Sequence, residues 1–172
     1  VVGLDLRPLS QGAVRFATWL SKTSNAEDGE SVVGVHVLEE EHLRVVLRYH
    51  HLDEVTKSAM ESARATVAQV DAQDVMKEVQ VVRGMRADDS LAAARVYHHA
   101  DCIVVGRQAK RESHRVVRLG RVARRLLRSL PCPVVVVPPD MTEEHLGPGP
   151  VVAMTNLTDD SVSAARFGKD MA

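Results

Sequence analysis

Residues 102–137 spell out one complete parallel crossover, and that unit limits the fold more than any other stretch. Residues 102–105 are apolar and rich in β-branched side chains; they stop at Gly106, where the backbone is free to turn. A basic loop follows, over residues 107–118. From Gly120 a helical pattern puts Val122, Leu126, Leu127 and Leu130 on one face. Pro131 and Pro133, either side of Cys132, end it, because proline disfavours the helical conformation in the residue before it. Residues 134–137 are valines, a second fully apolar strand. Strand, glycine loop, helix and strand make a βαβ unit, and strands this apolar belong in a sheet covered on both faces.

In an open parallel sheet, ligands bind beyond the carboxyl ends of the strands, where strand order reverses. A glycine there lets backbone N–H groups approach a phosphate, and the next helix N-terminus adds about half a positive charge. The segment therefore has the architecture of a phosphate site. Residues 101–139 hold nine Lys/Arg against Asp101 and Glu112, a net +7, leaving −8 on the rest of a chain whose net charge is −1. A positive patch on an acidic body suits a small anionic ligand better than nucleic acid. Aromatic residues make up 3% of the chain, too few to stack exposed bases.

The rest of the chain repeats the alternation. Residues 1–4 read as a buried strand ending at Asp5, and a helix begins at Pro8 or Leu9 with Ala13, Phe16, Ala17 and Leu20 at helical spacing. Glu27-Asp28-Gly29 is a turn, and residues 31–38 are the second strand. Glu39-Glu40-Glu41 fall in the loop or first helical turn beyond it, where acid is favoured. Residues 43–70 are helical with a break near His50-His51, and residues 77–82 form a strand. After a loop at 84–89, Asp88 or Asp89 is placed to cap a helix that runs to about His99. Strands alternating with helices indicate a parallel α/β sheet with right-handed crossovers. If the first and fourth strands are neighbours, their helices leave on opposite faces and a crevice opens between Asp5 and Gly106.

Residues 1–139 thus read as one domain. Residues 140–150 read as a linker, broken by Gly147-Pro148-Gly149-Pro150. The pattern then restarts over residues 151–172: at an offset of 151, Asp5 meets Asn156, Leu6 meets Leu157, Ser10 meets Ser161, Ala13 meets Ala164, Arg15 meets Arg166 and Phe16 meets Phe167. This is the first strand and helix of a second, incomplete repeat, or a strand and helix docked on a partner. No apolar run approaches the roughly 20 residues of a membrane helix. The chain opens on strand-like residues without a signal-peptide pattern, and Cys102 and Cys132 are expected as free thiols, so the expected location is the cytoplasm.

At VVGLDLRPLSQGAVRFATWL, VVGVHVLEEE, VVRGMRADDSLAAARVYHHADCIVVGRQ and GRVARRLLRSLPCPVVVVP the chain resembles universal stress proteins of the tandem kind. These stretches cover most of residues 1–138, and the last is the most specific. The resemblance implies a Rossmann-like, five-stranded parallel sheet of order 3-2-1-4-5 with helices on both faces. It also implies homodimers, or an intrachain pseudo-dimer, through antiparallel pairing of the fifth strands, here Val134, Val135, Val136 and Val137.

Some members of that family bind ATP through Gly, two residues, Gly, nine residues, then Gly with Ser or Thr. An Asp after the first strand and a Val ending the second contact the adenine. Asp5, Val37 and Gly106 match. Ala109 stands at the second glycine, Gly120 at the third with one extra residue of spacing, and Arg121 replaces the hydroxyl residue. Leu6 and Arg7 replace two small residues after the Asp. Ala109 disfavours a tight phosphate turn, whereas the Arg121 guanidinium is suited to phosphate oxygens. Arg107, Lys110, Arg111, Arg115 and Arg118 add cations beside the crevice.

Other chemistry is thinly represented. His36, mid-strand, is expected as a satisfied core or interface histidine. Adjacent pairs such as His50-His51 and His98-His99 point about 100° apart on a helix and make no chelating face, so no metal is expected. The face of Arg121, Arg125 and Arg128 is expected to be solvated. Ser113-His114 have no activating acid placed beside them, and neither a Walker A motif nor a GxGxxG after the first strand is present. Two readings stay open: a non-enzymatic stress-response protein with a degenerate nucleotide pocket, and an ATP-binding switch or weak ATPase. A site for another anion on the same patch is a third.

Overall fold

In the computed structural model, which describes residues 1–7, 11–23, 32–107, 119–129, 132–147, 151–152 and 159–170, strands and helices alternate as the pattern predicts. They are β1 (Val2–Gly3), α1 (Gln11–Thr23), β2 (Val33–Glu39), α2 (Glu40–Val46), α3 (Leu52–Ala68), β3 (Glu78–Gly84), α4 (Ala87–Tyr97), β4 (Ile103–Gly106), α5 (Arg121–Ser129), β5 (Val134–Val137) and α6 (Asp159–Asp170). All the sheet pairings are parallel, in the order β3-β2-β1-β4-β5. The helical break expected near His50-His51 separates α2 from α3, and the His51 N–H donates to the Glu54 carboxylate at 3.2 Å across the first turn of α3.

Alternating side chains send each strand to two cores. On one face Val2, Leu4, Val104 and Val137 pack with Ala13, Val14, Phe16 and Ala17 of α1 and Ala63 and Val67 of α3. On the other, Val33, Val35, Ile103 and Val105 pack with Leu91 and Ala94 of α4 and Ala123 and Leu126 of α5. Cys102 joins the first core and Cys132 the second, and neither is in a disulfide. Burial pushes the Cys132 thiol up, with Arg95 pulling part of the way back.

The apolar face of α5 differs from the expected one. Ala123 and Leu126 are its buried residues, while Leu127 is 50% exposed. The buried arc is centred between Ala123 and Leu126, so Leu127 falls on one margin. Half-buried Val122 falls on the other, packed on the second core.

Beyond β5, Pro138 and Pro139 carry the chain across the start of α1. A Cβ on Gly12 would sit 2.1 Å from the Pro138 carbonyl oxygen, so this crossing requires glycine. Arg15 Nη1 donates to the Met141 carbonyl at 3.3 Å, and Met141 and Leu146 pack on the first core around a 3-10 turn at Glu143–His145. The stretch expected as a broken linker is therefore seated on the domain as far as Leu146. In the restart, Val151 and Val152 are not in a strand, α6 is helical as expected, and Val151 packs on Gly168. Pro8, Leu9, Ser10, the Glu27-Asp28-Gly29 turn, Ser31, Leu130, Pro131, Pro148, Gly149, Pro150, Asn156 and Leu157 lie outside the described residues.

β5 is an edge strand of four residues, with Val134, Val135 and Val136 half-buried and Val137 buried. Among the described residues, no helix is long and apolar enough to cross a membrane.

Candidate functional site

β1 and β4 are neighbours, with Gly3 opposite Val105. The helices after them cover opposite faces, α1 the first core and α5 the second. The crevice this opens at the carboxyl ends of the strands has a volume of about 550 Å³. Asp5, Val37, Gly106, Arg107, Gly120 and Arg121 all line it. The remaining site residue expected from sequence, Ala109, lies outside the described residues, as do Lys110, Arg111, Ser113, His114, Arg115 and Arg118.

Asp5 does not face the crevice alone. Its Oδ1 and Oδ2 accept from Arg7 Nε at 2.8 and 2.7 Å, and Arg7 Nη2 also donates to Oδ2. That hydrogen bond raises the Arg7 pKa, and the charge on Asp5 adds to it. The clasp is local, two residues long, with the Arg7 and Asp5 side chains 74% and 51% exposed. Beside it the His36 ring meets the Leu4 carbonyl at 2.8 Å through Nδ1, the satisfied histidine expected of this position. Val37 lines the crevice, although β2 runs two residues further, to Glu39.

Glu39 is the residue that sequence reasoning missed. Its side chain is 11% exposed. Oε1 accepts the Ala87 N–H at 3.0 Å, and Oε2 accepts from Arg121 Nη2 at 2.6 Å, with His42 Nδ1 3.5 Å away. The acid at the end of β2 therefore serves the first turn of α4, the place where Asp88 or Asp89 was expected to cap. The N-cap position is Arg86, which makes no side-chain cap bond. The available signal was positional: three glutamates follow a strand whose carboxyl end borders the crevice.

Asp88 has another task. It is 2% exposed, and it bonds Arg86 Nη2 and lies 3.4 Å from Arg125 Nη1. Burial alone would push its carboxyl up, but the bonds from Arg86, its own backbone N–H and Arg125 leave it below the usual range. Arg121 and Arg125, one turn apart on α5, are thus both paired with acids, Glu39 of β2 and Asp88 of α4. The arginine face expected from their spacing is indeed open to solvent, with Arg121 50% and Arg125 39% exposed and Arg128 exposed, but two of its three arginines are anchored by acids. The reason is long-range packing, since α4 and α5 lie side by side on one face of the sheet.

Gly106 is open on its side-chain side, with nothing within 4 Å of where a Cβ would stand and no positive φ. Arg107, next to it, is 16% exposed; Nη2 lies 3.8 Å from Asp140, and among the described residues the buried Nη1 has no hydrogen-bond partner. Gly120 and the start of α5 stand across from both. Among the described residues, no group of three or more His, Cys, Asp or Glu is placed to hold a metal.

Solved structures share this architecture. The hypothetical protein MJ0577 superposes with a TM-score of 0.56 at 18% identity, over 80% of this chain and 94% of that one. Hypothetical protein PH0823 gives 0.55 at 18% identity, over 80% and 93%. A universal stress protein family member from Burkholderia pseudomallei gives 0.50 at 21% identity, over 80% and 93%. These likenesses establish the fold. No curated protein matches the chain in sequence. A family model described as "Universal stress protein family" matches residues 1–138.

Proposed function

As the chain belongs to the universal stress protein family, we propose that it is a non-enzymatic stress-response protein whose crevice is a degenerate nucleotide pocket and which works through dimeric or tandem assembly. The observation that carries this reading is the Arg7 clasp on Asp5. The resemblance assigns Asp5 to an adenine amino group, and both of its oxygens already accept from a guanidinium. A ligand amino group therefore has to share a carboxylate already held by a charge-assisted, two-pronged bond. Assembly through Val134, Val135, Val136 and Val137 rests on the edge position of β5 and its half-buried valines. A cytoplasmic location accords with Cys102 and Cys132 not being joined in a disulfide.

The alternative, an ATP-binding switch or weak ATPase, is favoured by the crevice itself. Its volume of about 550 Å³ lies in the range of small-molecule sites, and Gly106 leaves backbone open to it. Calorimetry with ATP on the full chain and on Asp5→Ala separates the two readings. The proposal expects no binding at millimolar ATP in either protein. Micromolar binding that disappears in Asp5→Ala overturns it in favour of the switch.

A further inference from the structure

The crevice is already occupied by an anion of its own. Oε2 of Glu39 accepts from Arg121 Nη2 at 2.6 Å and Oε1 from the Ala87 N–H at 3.0 Å, so one carboxylate takes up both an arginine N–H and a helix N–H. These are the donors that a phosphate entering between β1 and β4 would use, and Glu39, Arg121 and Ala87 all line that crevice. Glu39 is 11% exposed, while Arg121, at 50%, is open to solvent on the crevice side.

We propose that Glu39 is an internal competitor that latches Arg121 and decides which anions the crevice accepts. A singly charged anion gains little, because it replaces one carboxylate with its equal and leaves Glu39 charged beside it. A polyphosphate brings several charges and enough oxygens to hold Arg121, Arg107 and the start of α5 together. The ligand class is therefore a di- or triphosphate group, with or without a base attached. The inference rests on the nucleotide-pocket reading for its location and adds the reason that Arg121 is already engaged at rest.

The test is calorimetry with two probes, inorganic tripolyphosphate and ATP, on the full chain, Glu39→Gln, Glu39→Ala and Glu39→Gln/Arg121→Ala, each shown folded by its thermal transition. Removing the competing charge should tighten tripolyphosphate binding by about tenfold or more, as a charge-assisted bond is freed for the ligand. Adding Arg121→Ala should abolish the gain. Glu39→Ala repeats the measurement if the glutamine variant does not fold. A gain for tripolyphosphate without one for ATP keeps the latch and removes the nucleotide pocket. A gain for both supports both. Equal or weaker tripolyphosphate binding in the folded variants overturns the latch, and the ATP result on the unaltered chain still decides the nucleotide reading by itself.

Discussion

On the β1 wall of the crevice, Asp5 and Arg7 pair across two residues of sequence with both side chains in water. On the α4–α5 wall, Glu39 reaches 82 residues to Arg121 and Asp88 reaches 37 to Arg125, and both acids are largely withdrawn from solvent. The chemistry is the same guanidinium–carboxylate bond. An exposed pair gains little, because water and salt screen it and two long side chains lose freedom. A buried acid is different, since without its partner a desolvated charge is left behind. The first wall can therefore open at small cost to the fold, whereas the second joins β2, α4 and α5 into one structure.

The largest test of that contrast is Asp88→Asn. It removes the buried charge that Arg86 and Arg125 share and should cost about 2 kcal/mol in urea denaturation; a change within experimental error would make the two walls equivalent. Acid sharpens the same point. The Asp88 carboxyl is held below its usual range, so its stabilisation is complete above the ordinary value of about 3.9 and is lost as the pH falls from there through the lower folded value. The gap between the unaltered chain and Asp88→Asn should stay flat from about pH 5 to 7 and narrow below about pH 4. A gap that widens in acid would reverse the assignment.

A smaller effect is expected from Arg7→Ala, under about 1 kcal/mol in the same denaturation assay, because the clasp is exposed. A loss as large as that of Asp88→Asn would show that the β1 wall also supports the fold. Smallest is Gly106→Ala, where a Cβ meets nothing within 4 Å and φ is not positive. Its melting temperature should match the unaltered chain. A marked drop would place a backbone demand on this glycine.

What could be read from sequence follows the same division. Local signals were strong: four apolar strand runs, the helical break at residues 47–51, and Asp5 and Gly106 at the ends of strands that proved to be neighbours. The family resemblance supplied the strand order. The α4–α5 wall was not legible, because Glu39, Asp88, Arg121 and Arg125 are ordinary surface residues until tertiary packing brings their elements together. Asp88 or Asp89 was placed as a helix cap by position in sequence, yet Asp88 holds Arg86 and Arg125 of the neighbouring helix, and the acid on the first turn comes from β2. Leu127 was assigned to the apolar face of α5 for a similar reason. Periodicity defines a stripe, but α4 decides which margin of it is covered.

The edge at β5 has a metrical consequence. Four identical side chains carry no mark that distinguishes one register from the next, so a mate laid antiparallel along Val134–Val137 cannot be aligned by side-chain identity. The ends do the aligning. Pro133 and Pro138 bracket the strand; the Pro133 and Val137 carbonyls accept from Ile103 and Arg107 on the β4 side, so Val134 and Val136 turn their amides to the open edge and Pro138, next in that alternation, has no N–H to offer. The symmetric overlap of such a mate would set Val134 against Val136, with Val135 facing its own copy across the two-fold axis. Sliding the mate so that Val134 faces Pro138 would forfeit a donor at each end of the pair. For a mate at this edge the strand would be a short ruler, with its stop set by a missing proton on Pro138.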